Sequence, residues 1–350
     1  MGEEASTLIV GPSKVGKTLL IASLQQACES QYFENLGYRV HIQPLNEAMH
    51  KLLLRSKDLL LGRPLPATMR VTDYAFRLQV TIEPKSSFTK MFGGLFRKTY
   101  AKDFLFMDIP GGLVAMLVDQ GMGGRSAGMK MYGVKSKQVD EVDTVAMLEY
   151  KSRLVEKMRN CDSLIMCADA AEANSDADGG MSAGYGDWIS GLFFEGRGSA
   201  LKRICLCMTK SDLWALQEGF MNEACGKVQA LSPMDFALSM LGHQPFVHIS
   251  NYLGNIGKGA LFGACMTSTY GFLDGGVNQM LIEGVQNEEI NLQLLNSWRP
   301  YQTLDPFLFL LTGQDISKSV EILPIQKLET RIASFVQSGG RPPNSSMVPK

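Results

Sequence analysis

The fold of this chain is decided near its N-terminus by Leu8-Ile9-Val10, followed by Gly11-Pro12-Ser13-Lys14-Val15-Gly16-Lys17-Thr18. The eight later residues have the pattern Gly-x-x-x-x-Gly-Lys-Thr, and the apolar start of a helix follows them. Glycine lets the backbone turn so that successive N–H groups face one anion, and the N-terminus of the helix adds its unpaired amides. The sequence therefore predicts a phosphate-binding loop, with 11–18 as its nucleotide contacts.

Four residues in and near this loop are expected to contact the phosphates or Mg²⁺. Lys17 would reach the β- and γ-phosphates, and the Thr18 hydroxyl would bind Mg²⁺. A second group on the magnesium side is expected at Asp108, because it ends the apolar run 104–107, as in P-loop folds. The turn that Asp108 opens closes with Gly111, whose amide would bond the γ-phosphate.

Composition is ordinary for a soluble globular protein. Of the 350 residues, 45% are hydrophobic and 20% are charged, with a net charge of −1. Such a balance argues against non-specific binding over the whole surface, so we expect no nucleic-acid partner. The N-terminus lacks the basic and apolar regions of a signal peptide, and no apolar run is long enough to cross a bilayer. We therefore expect a cytoplasmic protein.

The seven cysteines form no Cys-x-x-Cys pair. They lie at positions 28, 161, 167, 205, 207, 225 and 265. In a reducing cytoplasm we expect small, buried hydrophobic residues, not disulfides or zinc ligands.

Apolar runs that indicate strands alternate with helical patterns along the chain. Strands are expected at 6–10, 74–82, 103–107, 163–168, 204–208 and 246–249, with an extra strand at 37–42. Helices are expected from the phosphate loop to about Glu29, after a cap at Asn46, over 141–159, and near 304–311. This alternation predicts a three-layer α/β fold around a mostly parallel six-stranded sheet. One domain with insertions would cover 1–337, and 338–350 would be a disordered tail.

Basic and aromatic residues are interleaved over 84–102, between two expected strands, where only a hairpin tip fits. The basic residues are Lys85, Lys90, Arg97, Lys98 and Lys102, and the aromatic ones are Phe88, Phe92, Phe96 and Tyr100. Such a tip would contact anionic lipid or an acidic partner, or else be a solvated loop whose aromatic residues pack locally. Peripheral membrane contact through 85–102 is thus one of two alternatives.

Four segments follow one another in an order that resembles the motifs of the GTPase superfamily. They are 11–18, 108–111, Thr209-Lys210-Ser211-Asp212, and Ser250-Asn251. The resemblance implies a P-loop NTPase fold of the Ras-like GTPase kind. It implies that Asp212 accepts hydrogen bonds from N1–H and the 2-amino group of guanine, and that Lys210 packs across the base and ties back to the phosphate loop. Adenine offers neither donor, so we expect GTP and GDP, with Mg²⁺, and Ser250 and Asn251 in the same pocket.

A closer resemblance is carried by 61–78 and the Asp-x-Pro-Gly turn, which look like the prokaryotic double-GTPase group of the TRAFAC class. It implies that Thr68 is the switch I threonine that closes over Mg²⁺ and the γ-phosphate, with Thr72 as the competing candidate. Lys14 stands where cation-dependent members have a potassium-coordinating asparagine. Its ammonium would supply that charge, either in this site or in a partner's phosphate loop.

Two further features bear on the rate of hydrolysis. Gly112 stands where many GTPases carry a water-orienting glutamine, so intrinsic hydrolysis is expected to be slow unless another group orients the water. Arg63, Arg70 and Arg125 lie in segments that approach the γ-phosphate in this fold. Each is either an arginine finger or an ordinary surface arginine.

We therefore expect a GTP-binding switch that hydrolyses GTP to GDP slowly, with Lys17, Lys14, Thr68 and Gly111 in catalytic positions. A protein partner is expected to control it, and a second GTPase is one candidate. Two alternatives stay open. One is a GTP-binding interaction module without turnover, and the other is an ATP-dependent assembly protein, against which Asp212 argues.

Overall fold

A computed structural model describes most of the strands and helices of the chain. The described residues are 6–11, 15–56, 72–82, 98–108, 152–154, 156–171, 201–257, 259–273, 276–277 and 299–340. Several predicted features lie outside these ranges, namely the loop 63–70, the turn 109–112, most of the helix 141–159 and the tail beyond 340. The division into one domain and a tail therefore stays a prediction.

The described strands confirm the α/β class. They are β1 (Ser6–Val10), β2 (Tyr38–Pro44), β3 (Thr72–Ile82), β4 (Lys98–Asp108), β5 (Cys161–Asp169), β6 (Arg203–Thr209), β7 (Leu261–Met266), β8 (Phe272–Leu273), β9 (Gly276–Val277) and β10 (Glu321–Pro324). Eight of them form one mixed sheet in the order β10-β7-β6-β5-β1-β4-β3-β2, and β8 and β9 form a separate pair.

Parallel pairing dominates the sheet, as predicted. The five strands β4, β1, β5, β6 and β7 are parallel neighbours, whereas β3 is antiparallel to β4, β2 to β3, and β10 to β7. The predicted number of six strands is wrong. The additional strands extend both edges, and at one edge β10 has only four residues, too few to show a period of their own.

Helices cover the sheet. They are α1 (Lys17–Ala22), α2 (Leu24–Cys28), α3 (Gln31–Asn35), α4 (Glu47–Leu54), α5 (Ser211–Gln217), α6 (Ala224–Ala230), α7 (Pro233–Leu241), α8 (Gln244–Ile256), α9 (Asp305–Thr312) and α10 (Ile325–Gln337). The predicted cap of α4 is confirmed, because the Asn46 side chain accepts a hydrogen bond from the Met49 N–H at 2.9 Å. Residues 152–154 and 156–160 are also helical, within the predicted helix 141–159.

Two apolar cores form, one on each face of the sheet. On one face Phe76 and Phe104, in neighbouring strands, stack with ring centroids 5.2 Å apart. Phe307 of α9 packs on both rings, and all three side chains are fully buried. On the other face Trp214 of α5 meets Phe236 of α7 edge to face at 5.1 Å. These aromatic contacts fix α5 and α9 against the sheet.

The cysteines behave as predicted. Cys161, Cys167, Cys205, Cys207 and Cys265 are buried, Cys28 and Cys225 are half-buried, and all are free thiols. Strand register places three of them in one row across β5, β6 and β7. Within the described ranges no group of three or more histidine, cysteine or acidic side chains is placed to hold a metal ion.

The prediction of a strand at 246–249 is wrong, because these residues lie inside the thirteen-residue helix α8. Pro245 occupies the first turn of α8, where a proline without an N–H is tolerated. The buried side chains Phe246, Ile249 and Leu253 recur at helical spacing and face the core. The next parallel strand is β7, which begins only at Leu261.

The basic and aromatic segment is described only from Lys98 onward, where it is already part of β4. Lys102 is not available for lipid contact, because its ammonium pairs with Asp162 and lies within 2.7 Å of the Ser163 hydroxyl. The tip, 83–97, lies outside the described residues, so membrane contact stays a prediction. In the part of the chain that is described, no helix is long and apolar enough to span a bilayer.

Candidate functional site

The carboxyl ends of the parallel strands meet at one edge of the sheet. Ile9 of β1 is level with Phe106 of β4 and with Ile165 of β5. By the same register, Gly11, just after β1, is level with Asp108, the last residue of β4. This edge is where ligands bind in open α/β sheets, so it is the candidate site.

The start of the phosphate loop is packed directly on β5. A Cβ atom at Gly11 would lie 2.6 Å from the backbone oxygen of Cys167, so only glycine fits there. At the other end of the loop, Gly16 has a φ of 87° and leads into α1. Both predicted glycines are therefore required by geometry, one by close approach and the other by a left-handed backbone.

Lys17, in the first turn of α1, points back into the loop. Its ammonium donates a hydrogen bond to the Gly11 carbonyl at 2.8 Å, and the residue is only 6% exposed. A buried ammonium held against the loop backbone is positioned to meet a phosphate oxygen there. The contact of Lys17 with a phosphate stays a prediction.

The magnesium side of the site is described in part. Thr18 follows Lys17 in α1, and Asp108 ends β4 at the same edge of the sheet. Thr72, the alternative to Thr68, is the first residue of β3 and pairs directly with Asp108 across the sheet. The remaining predicted site residues lie outside the described ranges, namely Pro12, Ser13, Lys14, Thr68 and Gly111.

Thr209, the last residue of β6, connects the two halves of the site. Its hydroxyl lies within hydrogen-bonding distance of the Val15 carbonyl in the phosphate loop, and 3.0 Å from the Ala168 carbonyl of β5. A hydroxyl has one proton, so it donates to one of these oxygens at a time. The residue is 4% exposed, and the loop after β6 is thereby fixed against the phosphate loop.

Lys210 follows with a left-handed backbone, φ 57° and ψ 35°, and caps α5. Its ammonium forms an ion pair with Asp169, the last residue of β5, whose carboxylate is 1% exposed. A Cβ atom at Gly16 would lie 3.9 Å from the Lys210 Cε, so the aliphatic stem runs beside the phosphate loop. The predicted tie between this lysine and the loop thus exists as a packing contact, and the hydrogen bond to the loop comes from Thr209.

Asp212 is the most unusual polar residue of the site. It is 2% exposed, and its Oδ2 atom has no hydrogen-bond partner among the described residues. Burial raises the pKa of this carboxyl group to about 6, although a hydrogen bond from Ser268 and the N–H groups of Leu213 and of Asp212 itself oppose the rise. A buried acceptor without a donor costs free energy and is rare in native proteins, so a donor beyond the described residues is expected here.

The turn after β7 lies beside Asp212, because Ser268 hydrogen-bonds to its carboxylate. The Ser268 hydroxyl accepts a hydrogen bond from the Gly271 N–H at 2.8 Å. Backbone hydrogen bonds between Ser268 and Tyr301 hold the turn against the segment before α9. Tyr270 is half-buried there, and burial together with the charge of Asp212 raises the pKa of its hydroxyl.

Ser250 and Asn251 do not occupy the position that the prediction required. They lie in the middle of α8, and the Ser250 hydroxyl donates a hydrogen bond to Glu329 of α10 at 3.3 Å. The position after the last parallel strand is taken by Thr267 and Ser268. The error follows from reading 246–249 as a strand.

Sequence reasoning also missed Asp169 and Ser268 as members of the site. The signal for Asp169 was its place after the predicted strand 163–168, which is the same signal that identified Asp108. Ser268 has only a weak signal, because it depends on recognising β7 as a strand.

Comparison with known proteins adds little. No family model matches the chain, and no curated protein matches it. Among solved structures it is similar to the signal recognition particle receptor SRb-GTP/SRX complex from Chaetomium thermophilum. Sequence identity is 15% and the TM-score is 0.28, over 61% of this chain and 73% of that chain. A likeness of this size carries no argument about function, which must be inferred from the residues of the site.

Proposed function

We propose that the chain is a GTPase-type P-loop protein that binds GTP and GDP with Mg²⁺ and hydrolyses GTP slowly. The observation that carries this proposal is the buried Oδ2 of Asp212, which has no hydrogen-bond partner among the described residues, at the same end of the sheet as the predicted phosphate loop. The strand order β3-β4-β1-β5-β6-β7, with β3 antiparallel, supports the GTPase-type fold.

Guanine supplies the hydrogen-bond donors that the Asp212 carboxylate needs. Its N1–H and 2-amino groups lie side by side, so the two oxygens of one carboxylate accept both hydrogen bonds. Adenine presents no such pair, and the buried carboxylate would stay unpaired against it. The discrimination expected from leaving a buried charged acceptor unsatisfied is large, about hundredfold or more.

The phosphate end fits a magnesium nucleotide. Lys17 and the N-terminus of α1 provide positive charge, and the Thr18 hydroxyl and Asp108 carboxylate are the oxygen ligands that Mg²⁺ prefers. Magnesium, when bound, would neutralise charge on the β- and γ-phosphates. No general base stands out, so this chain would act by positioning the phosphates and by charge.

The catalytic assignments of Lys14, Thr68 and Gly111 belong to this proposal, as does slow turnover from the Gly112 position. A switch would follow, because loss of the γ-phosphate releases loops that contact it. A protein partner remains part of the proposal. Multiple-turnover phosphate release separates the GTPase from a GTP-binding module without turnover: no release with any candidate partner would favour the module.

Competition with a fluorescent GDP tests the central point. Wild-type protein should bind GDP far more tightly than ADP or XDP. Asp212→Asn should lose GDP affinity and gain affinity for XDP, because xanthine has a carbonyl group where guanine has its 2-amino group, and the asparagine amide donates to it. Equal affinity for GDP and ADP, or no binding of either, would overturn the proposal.

A further inference from the structure

Asp169 is a buried carboxylate that the proposed function does not yet use. It ends the central strand β5, and its Oδ1 accepts a hydrogen bond from the Ala171 N–H at 2.9 Å. Its Oδ2 pairs with the ammonium of Lys210. One oxygen is therefore fixed by the backbone of its own strand end, and the other faces the loop after β6.

We propose that Asp169 is a positioning residue which, through Lys210, fixes the spacing between the phosphate loop and the base loop, defined as 209–212. This inference rests on the proposed nucleotide binding and goes beyond it. Lys210 is one of three non-glycine residues with positive φ among those described. A left-handed backbone is unfavourable for lysine and persists only where its surroundings hold it.

The ion pair with Asp169 holds Lys210 in this left-handed conformation. A carboxylate that is 1% exposed is costly to bury alone, and the Lys210 ammonium offsets that cost. The lysine side chain runs beside the phosphate loop on its way to Asp169, since its Cε lies 3.9 Å from where a Cβ atom would stand at Gly16. The ion pair thus fixes the direction of the Lys210 aliphatic stem as well as the position of its ammonium.

The base loop is then attached to the phosphate loop at two points. Thr209 reaches the Val15 carbonyl, and the Lys210 stem lies beside Gly16. Because β5 lies between β1 and β6, Asp169 fixes this arrangement from the strand between them. A nucleotide that contacts both loops binds more tightly when their spacing is fixed, because less conformational entropy is lost on binding.

Asp169→Asn is the direct test, measured as the rate at which unlabelled GDP displaces fluorescent GDP. Asparagine keeps an oxygen for the Ala171 N–H and removes the charge that holds Lys210. We expect GDP to dissociate about ten- to hundredfold faster. The dissociation constant for guanosine, which lacks the phosphates, should change less than about threefold, since it does not use the fixed spacing.

Asp162→Asn is the matched control. Asp162 lies at the opposite end of β5 and also forms an ion pair with a lysine, Lys102. The control should lower the melting temperature without changing GDP dissociation. An equal acceleration in both variants would overturn the proposal, because it would show a general loss of strand stability.

Lys210→Met and the double variant complete the cycle. If Asp169 acts through Lys210, adding Asp169→Asn to Lys210→Met should produce no further acceleration. Lys210→Met alone leaves the buried Asp169 carboxylate without its partner, whereas the double variant leaves no unpaired buried charge and remains measurable if that single variant fails to fold. Additive effects, or wild-type dissociation in the double variant, would overturn the inference while leaving nucleotide binding intact. Absence of GDP binding to the wild-type protein would instead overturn the proposed function.

Discussion

The hydroxyl of Thr209 hydrogen-bonds to the backbone of Val15, although the two residues are 194 positions apart in the chain. The bond joins the end of β6 to the phosphate loop after β1. Since β5 separates these strands, the contact bridges over the strand between them. Both ends of a bound nucleotide would therefore meet parts of the protein that are fixed to each other.

Replacing Thr209 with valine should loosen this connection. Valine keeps the shape but leaves the Val15 or Ala168 carbonyl without its donor, so we expect a loss of about 1–3 kcal/mol in the free energy of unfolding. GDP affinity should fall as well. Urea denaturation and nucleotide competition measure the two effects. Thr209→Ser, which keeps the hydroxyl, serves as the control, and equal losses in both variants would contradict the role given to this bond.

The charge of Asp212 should destabilise the nucleotide-free protein above about pH 6. Burial raises the pKa of this group from 3.8 to about 6, so the folded state holds a proton that the unfolded state has released between these values. The contribution of this group to stability therefore falls as the pH rises through that window, by about 3 kcal/mol at most. Asp212→Asn removes the effect.

The variant should accordingly be more stable than the wild type at pH 7.5, and the difference should shrink as the pH approaches 4. Urea denaturation at several pH values without nucleotide measures it. A variant that is less stable at pH 7.5 would show that the carboxylate is satisfied in the free protein. The gain in stability is expected to accompany the loss of guanine selectivity.

Removing the ammonium of Lys17 should abolish tight binding of the triphosphate. Lys17→Met keeps the stem in its buried position and removes the group that would contact the phosphates. We expect GTP affinity to fall by at least about hundredfold, since a charge-assisted bond to phosphate is lost. Calorimetry gives the affinity. Lys51→Met, at an exposed position of α4, should bind GTP normally.

Alanine substitutions at Ser268 and at Ser250 should affect GDP binding differently, which tests whether Ser268 or Ser250 lies near the bound nucleotide. Ser268→Ala removes the hydroxyl that supports Asp212 and should weaken GDP binding about tenfold. Ser250→Ala breaks only the contact with Glu329 between two helices, so GDP binding should not change. Fluorescent GDP competition compares the two variants. The reverse outcome would place Ser250 in the pocket instead of Ser268.

The phosphate loop and the Thr-Lys-Ser-Asp segment could be located from sequence because their signals are local. A buried strand, a glycine turn and a helix start follow one another within 6–22, and β6 leads directly into Lys210 and α5. Local order of this kind needs no knowledge of the tertiary packing. The strand ends were therefore predicted within a few residues.

The last parallel strand could not be found in this way. The four residues 246–249, three of them apolar, fit a strand and a helix equally well. The true strand, β7, contains Gly263, where a Cβ atom would lie 2.7 Å from the ring of Phe309. The need for a small residue there arises from packing against α9, which the sequence does not reveal. Edge strand β10 likewise depends on pairing with β7.

Asp169 shows a different limit. Its position after a strand was visible, but its importance depends on Lys210 adopting a left-handed backbone and turning toward it. Pairings between side chains on neighbouring strands follow from register, and register appears only in the folded chain. The sequence therefore identifies the groups of the site better than their partners.

The row of cysteines next to the phosphate loop lets thiol labelling detect opening of the protein core. Cys167, Cys207 and Cys265 are completely enclosed, and burial raises the pKa of the Cys207 thiol well above its ordinary value. Alkylating reagents attack thiolates that solvent can reach, so these sulfur atoms become labelled only when the core on this face of the sheet opens. Mass spectrometry of labelling over time would then follow the rare opening of this core directly, without an introduced probe.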